Sequence, residues 1–128
     1  MRPIKILVVD DNALVRQLVC AHLKSEPGYA VCEAADGVEA IETIAKSKPD
    51  LIVLDLVMPR MDGVQLAAAL KNALKNIPVI LFTLYDRMAL EQNLQLLGIS
   101  AVVSKTGPIQ NLLEEVQRLV PLTRTASA

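Results

Sequence analysis

The residues that could do chemistry are carboxylates placed directly after apolar runs. Asp10 and Asp11 follow Ile4 to Val9, and Asp55 follows Leu51-Ile52-Val53-Leu54. Two adjacent acids at the end of a buried strand are costly unless something positive sits beside them. A hard cation meets that need, because Mg²⁺ takes one or two carboxylates and keeps several waters. The competing reading of Asp10-Asp11 is helix capping, a task that Asn12 could share. Asp55 stands too far from the next predicted helix to cap it. A carboxylate so placed can act as a nucleophile and form an acyl phosphate, with a metal offsetting charge on the phosphoryl oxygens. Thr83 ends a third apolar run, Val79 to Phe82, and Lys105 follows a fourth, Ala101 to Val103. A hydroxyl can donate to a phosphoryl oxygen. An ammonium can pair with a carboxylate at rest and with phosphate after transfer.

These groups need a rigid frame, and the hydropathy pattern supplies one. The four runs, with a weaker one at Tyr29 to Cys32, read as strands. Lys5 apart, they are continuously apolar rather than alternating, as a parallel sheet covered on both faces demands. Amphipathic segments separate them. Leu14, Leu18 and Ala21 share one helical face, and Val38, Ile41 and Ala45 repeat the pattern after Asp36-Gly37. Val64, Ala67, Ala68 and Lys71 follow Asp62-Gly63, and Leu90, Leu94 and Leu97 precede Gly98 as a C-cap. Leu112, Leu113, Val116 and Val120 make a last helix, closed by Pro121. Strands alternating with helices predict an α/β fold, a single doubly wound (βα)₅ domain with a parallel sheet and helices on both faces. Ligands bind such sheets beyond the carboxyl ends of the strands, where Asp10, Asp11, Asp55, Thr83 and Lys105 all fall.

Composition narrows the function classes. The chain has 128 residues, 52% of them apolar, enough for one cored domain. A net charge of -1 and 2% aromatics argue against a nucleic-acid-binding surface. Cys20 and Cys32 match neither a redox pair nor a zinc site and read as free thiols in a reducing compartment. His22, the one histidine, reads as a partly buried packing residue. No run approaches a membrane span or a signal peptide, so a soluble cytoplasmic protein is expected. Residues 1–121 form the expected domain, and 122–128 a flexible tail or the start of a linker.

Val8-Val9-Asp10-Asp11-Asn12, the stretch Asp55-Leu56-Val57-Met58-Pro59-Arg60-Met61-Asp62-Gly63, then Thr83 and Lys105, together resemble the receiver domain of two-component response regulators, the CheY-like family. The resemblance runs from about Ile4 to Val120. It implies a five-stranded sheet in the order 2-1-3-4-5. It also implies Asp55 as phosphoacceptor and Asp10, Asp11 and Asp55 as ligands for Mg²⁺ or Mn²⁺, with the backbone carbonyl of Val57. Thr83 is similar to the family's switch hydroxyl and Lys105 to its phosphate-contacting lysine. Met58, Pro59, Asp62 and Gly63 resemble the loop that shapes the site.

Four positions depart from the family pattern. Val102 stands where an aromatic switch residue is common, and Thr106 where many members carry a cis-proline. Leu84 is bulky where a small residue is usual, and no acid lies between Ile99 and Val103. The resemblance implies that Val57, Leu84 and Tyr85 occupy positions that tune phosphate lifetime.

The partners implied are a sensor histidine kinase or histidine phosphotransfer protein, and a downstream target or fused effector domain. A homodimer through the fourth helix, fifth strand and fifth helix, or through the first and fifth helices, is compatible. Direct contact with nucleic acid or membrane is not expected. Such a domain catalyses its own phosphorylation and dephosphorylation but works as a switch rather than an enzyme. A phosphohydrolase with an Asp nucleophile would need a second acid where Val57 stands. A pseudo-receiver, a phosphorylation-independent interaction module, would lack one of the polar residues retained here.

Overall fold

A computed structural model describes residues 2–55, 76–84 and 98–122. The described elements are β1 (Ile4–Val9), α1 (Ala13–Lys24), β2 (Tyr29–Ala34), α2 (Gly37–Lys46), β3 (Leu51–Leu54), β4 (Val79–Thr83), β5 (Ala101–Ser104) and α3 (Ile109–Leu119). The five strands form one parallel sheet in the order β2-β1-β3-β4-β5. β2 runs two residues beyond its predicted end, and β4 and β5 each run one. The third and fourth predicted helices lie outside the described residues. Gly98, expected to end one of them, has φ +81°. That left-handed conformation is costly for a residue with a Cβ.

Two apolar layers sandwich the sheet. Leu7, Val9, Ile52, Leu54 and Leu81 face one side, where α2 adds Ala40 and Ile44. Ile6, Val8, Val53, Ile80 and Phe82 face the other, where α1 adds Val19, Cys20 and Leu23, and α3 adds Leu112 and Val116. The strands are apolar at nearly every position because both faces are covered.

The apolar stripes expected of the first two helices are the ones turned outward. Leu14 is 79% exposed and Leu18 51%, and Ala21 is exposed with them. α1 buries Val19, Cys20 and Leu23 instead. On α2, Val38, Ile41 and Ala45 are exposed, and Gly37 and Ala40 are buried. Each helix carries apolar residues on more than one face, so spacing alone does not choose between them. Small residues on α2 let its axis approach the sheet closely. α3 has a single stripe, and it packs as expected, with Leu113 and Val120 at its margin.

The thiols lie on opposite sides of the sheet. Cys20 belongs to the layer under α1, whereas Cys32 alternates with Val31, which faces that layer. Both are free. Burial pushes the Cys20 thiol up to about 11, so it stays protonated and unreactive. His22 is half-buried, in line with a packing role. Leu122 is half-buried too, and it lies where any side chain at Gly28 would go.

Candidate functional site

Strand register brings the polar residues together. β1 and β3 pair with Val9 opposite Leu54, so the next residues on each strand are Asp10 and Asp55. The Asp55 amide donates to the Val9 carbonyl at 2.9 Å, and the Asp10 amide to the Ala34 carbonyl at 3.1 Å. At the other end of the row, the Lys105 amide donates to the Thr83 carbonyl at 2.8 Å. Each acid and the lysine are therefore held by the last rungs of a rigid sheet.

Capping is the task of neither leading acid. Asn12 is the N-cap of α1, its side chain accepting from the amides of Leu14 and Val15 at 3.0 and 3.1 Å. Asp10 spends one oxygen on the Asn12 amide at 2.9 Å. Its other oxygen meets the Lys105 ammonium at 2.8 Å, and Lys105 reaches Asp55 Oδ1 at 3.3 Å. Carboxylate oxygens of Asp10, Asp11 and Asp55 lie within 4.8 Å of one another. Asp10 is only 3% exposed, Asp55 half-buried and Asp11 exposed. Among the described residues, one ammonium thus bridges two of three clustered carboxylates, and negative charge remains in excess. An all-oxygen, carboxylate-rich donor set of this kind suits Mg²⁺ or Mn²⁺ and not a soft metal.

Thr83 is fully buried at the end of β4. Leu84, next to it, is 68% exposed. Val102 is a core residue paired with Leu81 across β4 and β5. The Ser104 and Thr106 hydroxyls bond each other at 2.6 Å, and the bond before Thr106 is trans. Val57, Met58, Pro59, Asp62, Gly63 and Tyr85 lie outside the described residues.

Two residues at this edge escape the sequence reading. The Arg16 guanidinium donates to the Asp10 carbonyl at 2.7 Å and to Glu33 Oε1 at 3.0 Å, tying α1 to the ends of β1 and β2. Its position one turn into α1 could have suggested contact with the preceding loop. Phe82 lies beneath Lys105, with the ammonium 5.8 Å from the ring centroid. Inside an apolar run, nothing distinguished it from a core residue.

Residues 6–117 match the family described as response regulator receiver domain. The chain belongs to that family. Sporulation initiation phosphotransferase F of Bacillus subtilis is 34% identical over 118 residues, 92% of this chain and 94% of that protein. Response regulator MprA of a Mycobacterium species is 41% identical over 87 residues, 68% of this chain but only 37% of that protein. Among solved structures, the response regulator TrrA of Thermotoga maritima, in complex with Mg²⁺–BeF, is 30% identical. It superposes with a TM-score of 0.81, covering 91% of this chain and 99% of that one. This receiver domain is a two-component signalling module with the CheY-like sheet order. No helix among its described residues is long and apolar enough to cross a membrane.

Proposed function

We propose that this receiver domain is a phosphoacceptor switch in which Asp55 takes a phosphoryl group from a phosphohistidine. The donor is a sensor histidine kinase or a histidine phosphotransfer protein. The observation that carries this reading is the cluster of three carboxylates within 4.8 Å, two of them bridged by Lys105. An Asp55 oxygen attacks phosphorus in line. The new P–O bond forms as the P–N bond breaks, and the imidazole nitrogen keeps the departing electron pair. Asp10, Asp11, Asp55 and the backbone carbonyl of Val57 would hold Mg²⁺ or Mn²⁺, which would supply positive charge against the phosphoryl oxygens. Met58, Pro59, Asp62 and Gly63 shape the rim of the site. Positioning and electrostatics do most of the work in such a transfer.

Lys105 and Thr83 then respond to the added charge. Lys105 exchanges a carboxylate partner for a phosphoryl oxygen, and the Thr83 hydroxyl donates to another. Their shift biases a two-state surface made by the fourth predicted helix, β5 and α3. Val102 gives that switch no aromatic partner. A downstream target, a fused effector domain or a second copy of the chain reads the surface. The face of α1 and α3 is the other dimer candidate. The domain spans 1–121 and works in the cytoplasm as a switch rather than an enzyme. The segment 122–128 is a tail or linker, with Leu122 against Gly28 as its anchor.

The exposed Leu14–Leu18–Ala21 stripe starts beside Asp11 and Asn12. Exposed apolar patches mark protein interfaces, and the phosphodonor protein must come within bonding distance of Asp55. The stripe is therefore assigned to the donor. Val57, Leu84 and Tyr85 set how readily water reaches the phosphate.

The deciding experiment incubates the parent and Asp55→Asn with acetyl phosphate and Mg²⁺, followed by intact-mass measurement. The parent gains one hydroxylamine-labile phosphate and Asp55→Asn gains none. No uptake by the parent would leave a phosphorylation-independent interaction module as the better reading.

A further inference from the structure

Phe82 is the one phenylalanine of the chain and stands directly before Thr83. It is buried and pairs across the sheet with Val103. Successive strand residues point to opposite faces of a sheet. Phe82 shares the face covered by α1 and α3 with Val8, Val53 and Val103. Two positions beyond those three valines come Asp10, Asp55 and Lys105. Parity thus delivers the ring and all three ion-pairing side chains to one face. The 5.8 Å between the Lys105 ammonium and the ring centroid is the result.

An aromatic face attracts an ammonium within ~6 Å, more strongly when both groups are desolvated. Here the Lys105 side chain is 11% exposed. The carboxylates that hold the ammonium, Asp10 and Asp55, are also two of the three acids suited to a metal. Oxygens that share their charge with a divalent cation hold Lys105 less strongly. The ring is a partner for which the metal does not compete.

Building on the phosphoacceptor reading of this site, we propose that Phe82 is a positioning residue. Its ring keeps the Lys105 ammonium beside Asp55 while the carboxylates are committed to metal, so that it is in place for the incoming phosphoryl oxygens. A leucine at this position would stay apolar and leave the ammonium without that hold.

The test replaces Phe82 with 4-fluoro-, 3,5-difluoro- and 3,4,5-trifluorophenylalanine in the full chain. These withdraw density from the ring face stepwise with little change in size. Phe82→Leu is the packing control. Two signals are read: the chemical shift of the Lys105 ε-methylene protons with and without Mg²⁺, and the rate of phosphorylation by acetyl phosphate at saturating Mg²⁺. The parent should show a ring-current upfield shift that persists when Mg²⁺ is added and disappears in Phe82→Leu. The rate should fall along the fluorinated series to about a three- to tenfold loss, with the Mg²⁺ dissociation constant unchanged. Loss of the upfield shift on adding Mg²⁺, or a flat rate across the series, would overturn the proposal. A parent that takes up no phosphate would sink the phosphoacceptor reading instead, and the proton shift would still decide whether the ring holds the ammonium.

Discussion

The two ends of the sheet treat their acids in opposite ways. At the amino ends of the strands, Asp50 is matched partner for partner. The Arg2 guanidinium meets both of its oxygens at 3.0 Å, and the Lys5 amide donates to Oδ2 at 2.8 Å. Lys5 Nζ turns aside to Ser47 at 2.8 Å. The Arg2 hydrogen bonds hold the Asp50 carboxyl below its ordinary 3.8, against a smaller opposing effect of burial. At the carboxyl ends, three carboxylates cluster and, among the described residues, one lysine bridges two of them. A satisfied acid closes an edge, whereas an excess of carboxylates leaves a place for a cation and for a group that travels with one.

The largest expected contrast is in metal binding. Asp11→Asn should weaken Mg²⁺ binding ~100-fold, because even the partners of metal ligands are worth ~10–100-fold. Asp50→Asn should leave the affinity unchanged. Titration calorimetry on the two variants checks this, and equal affinities would erase the distinction between the edges.

The next contrast is in stability. Lys105→Ala leaves Asp10 and Asp55 close together without the ammonium. In EDTA it should cost about 1–3 kcal/mol, since removing the ammonium leaves buried carboxylate acceptors unsatisfied. Added Mg²⁺ should recover more stability in this variant than in the parent. Denaturant melts with EDTA and with Mg²⁺ measure both. An unchanged midpoint in EDTA would mean that the acids do not depend on Lys105.

A third contrast concerns the lifetime of the phosphate. Val57→Asn, which offers a water-orienting amide, and Tyr85→Ala, which opens the approach, should each speed decay roughly tenfold if one well-placed contact is worth ~1.4 kcal/mol of barrier. Asp50→Asn should decay at the parental rate. Following phosphate loss at fixed Mg²⁺ tests all three, and unchanged or slower decay in both site variants would remove the shielding role of Val57 and Tyr85.

The smallest effect belongs to the satisfied edge. A carboxyl with a lowered folded-state value contributes stability above its unfolded value and loses it as pH falls through the folded one. Parent Asp50 should therefore exceed Asp50→Asn in Tm by about 1–2 °C near pH 7, as suits an exposed pair. The gap should close below pH 3.8. Thermal melts across that range would show it, and a gap that widens in acid would reverse the sign of the Arg2 contribution.

Much of this was legible in the chain itself. Strand runs apolar at nearly every position declare a sheet covered on both faces, and the polar residues that follow each run must lie at one edge. Asp10, Asp55, Thr83 and Lys105 were placed by that local logic, as was the single stripe of α3. Other features needed the tertiary structure. Leu14 and Leu18 lost the core to Val19 and Leu23 because α1 is apolar on two faces and only the position of the sheet selects one. Asn12 rather than Asp10 caps α1 because the turn after β1 brings its oxygen to the first amides. The bridge from Lys105 to Asp10 and Asp55, the Arg16 contact with Glu33 and the ring beneath Lys105 join elements separated in sequence. Periodicity within one segment carries the direction of a side chain, but the distance between two such side chains depends on strand order and register, which only the folded sheet sets.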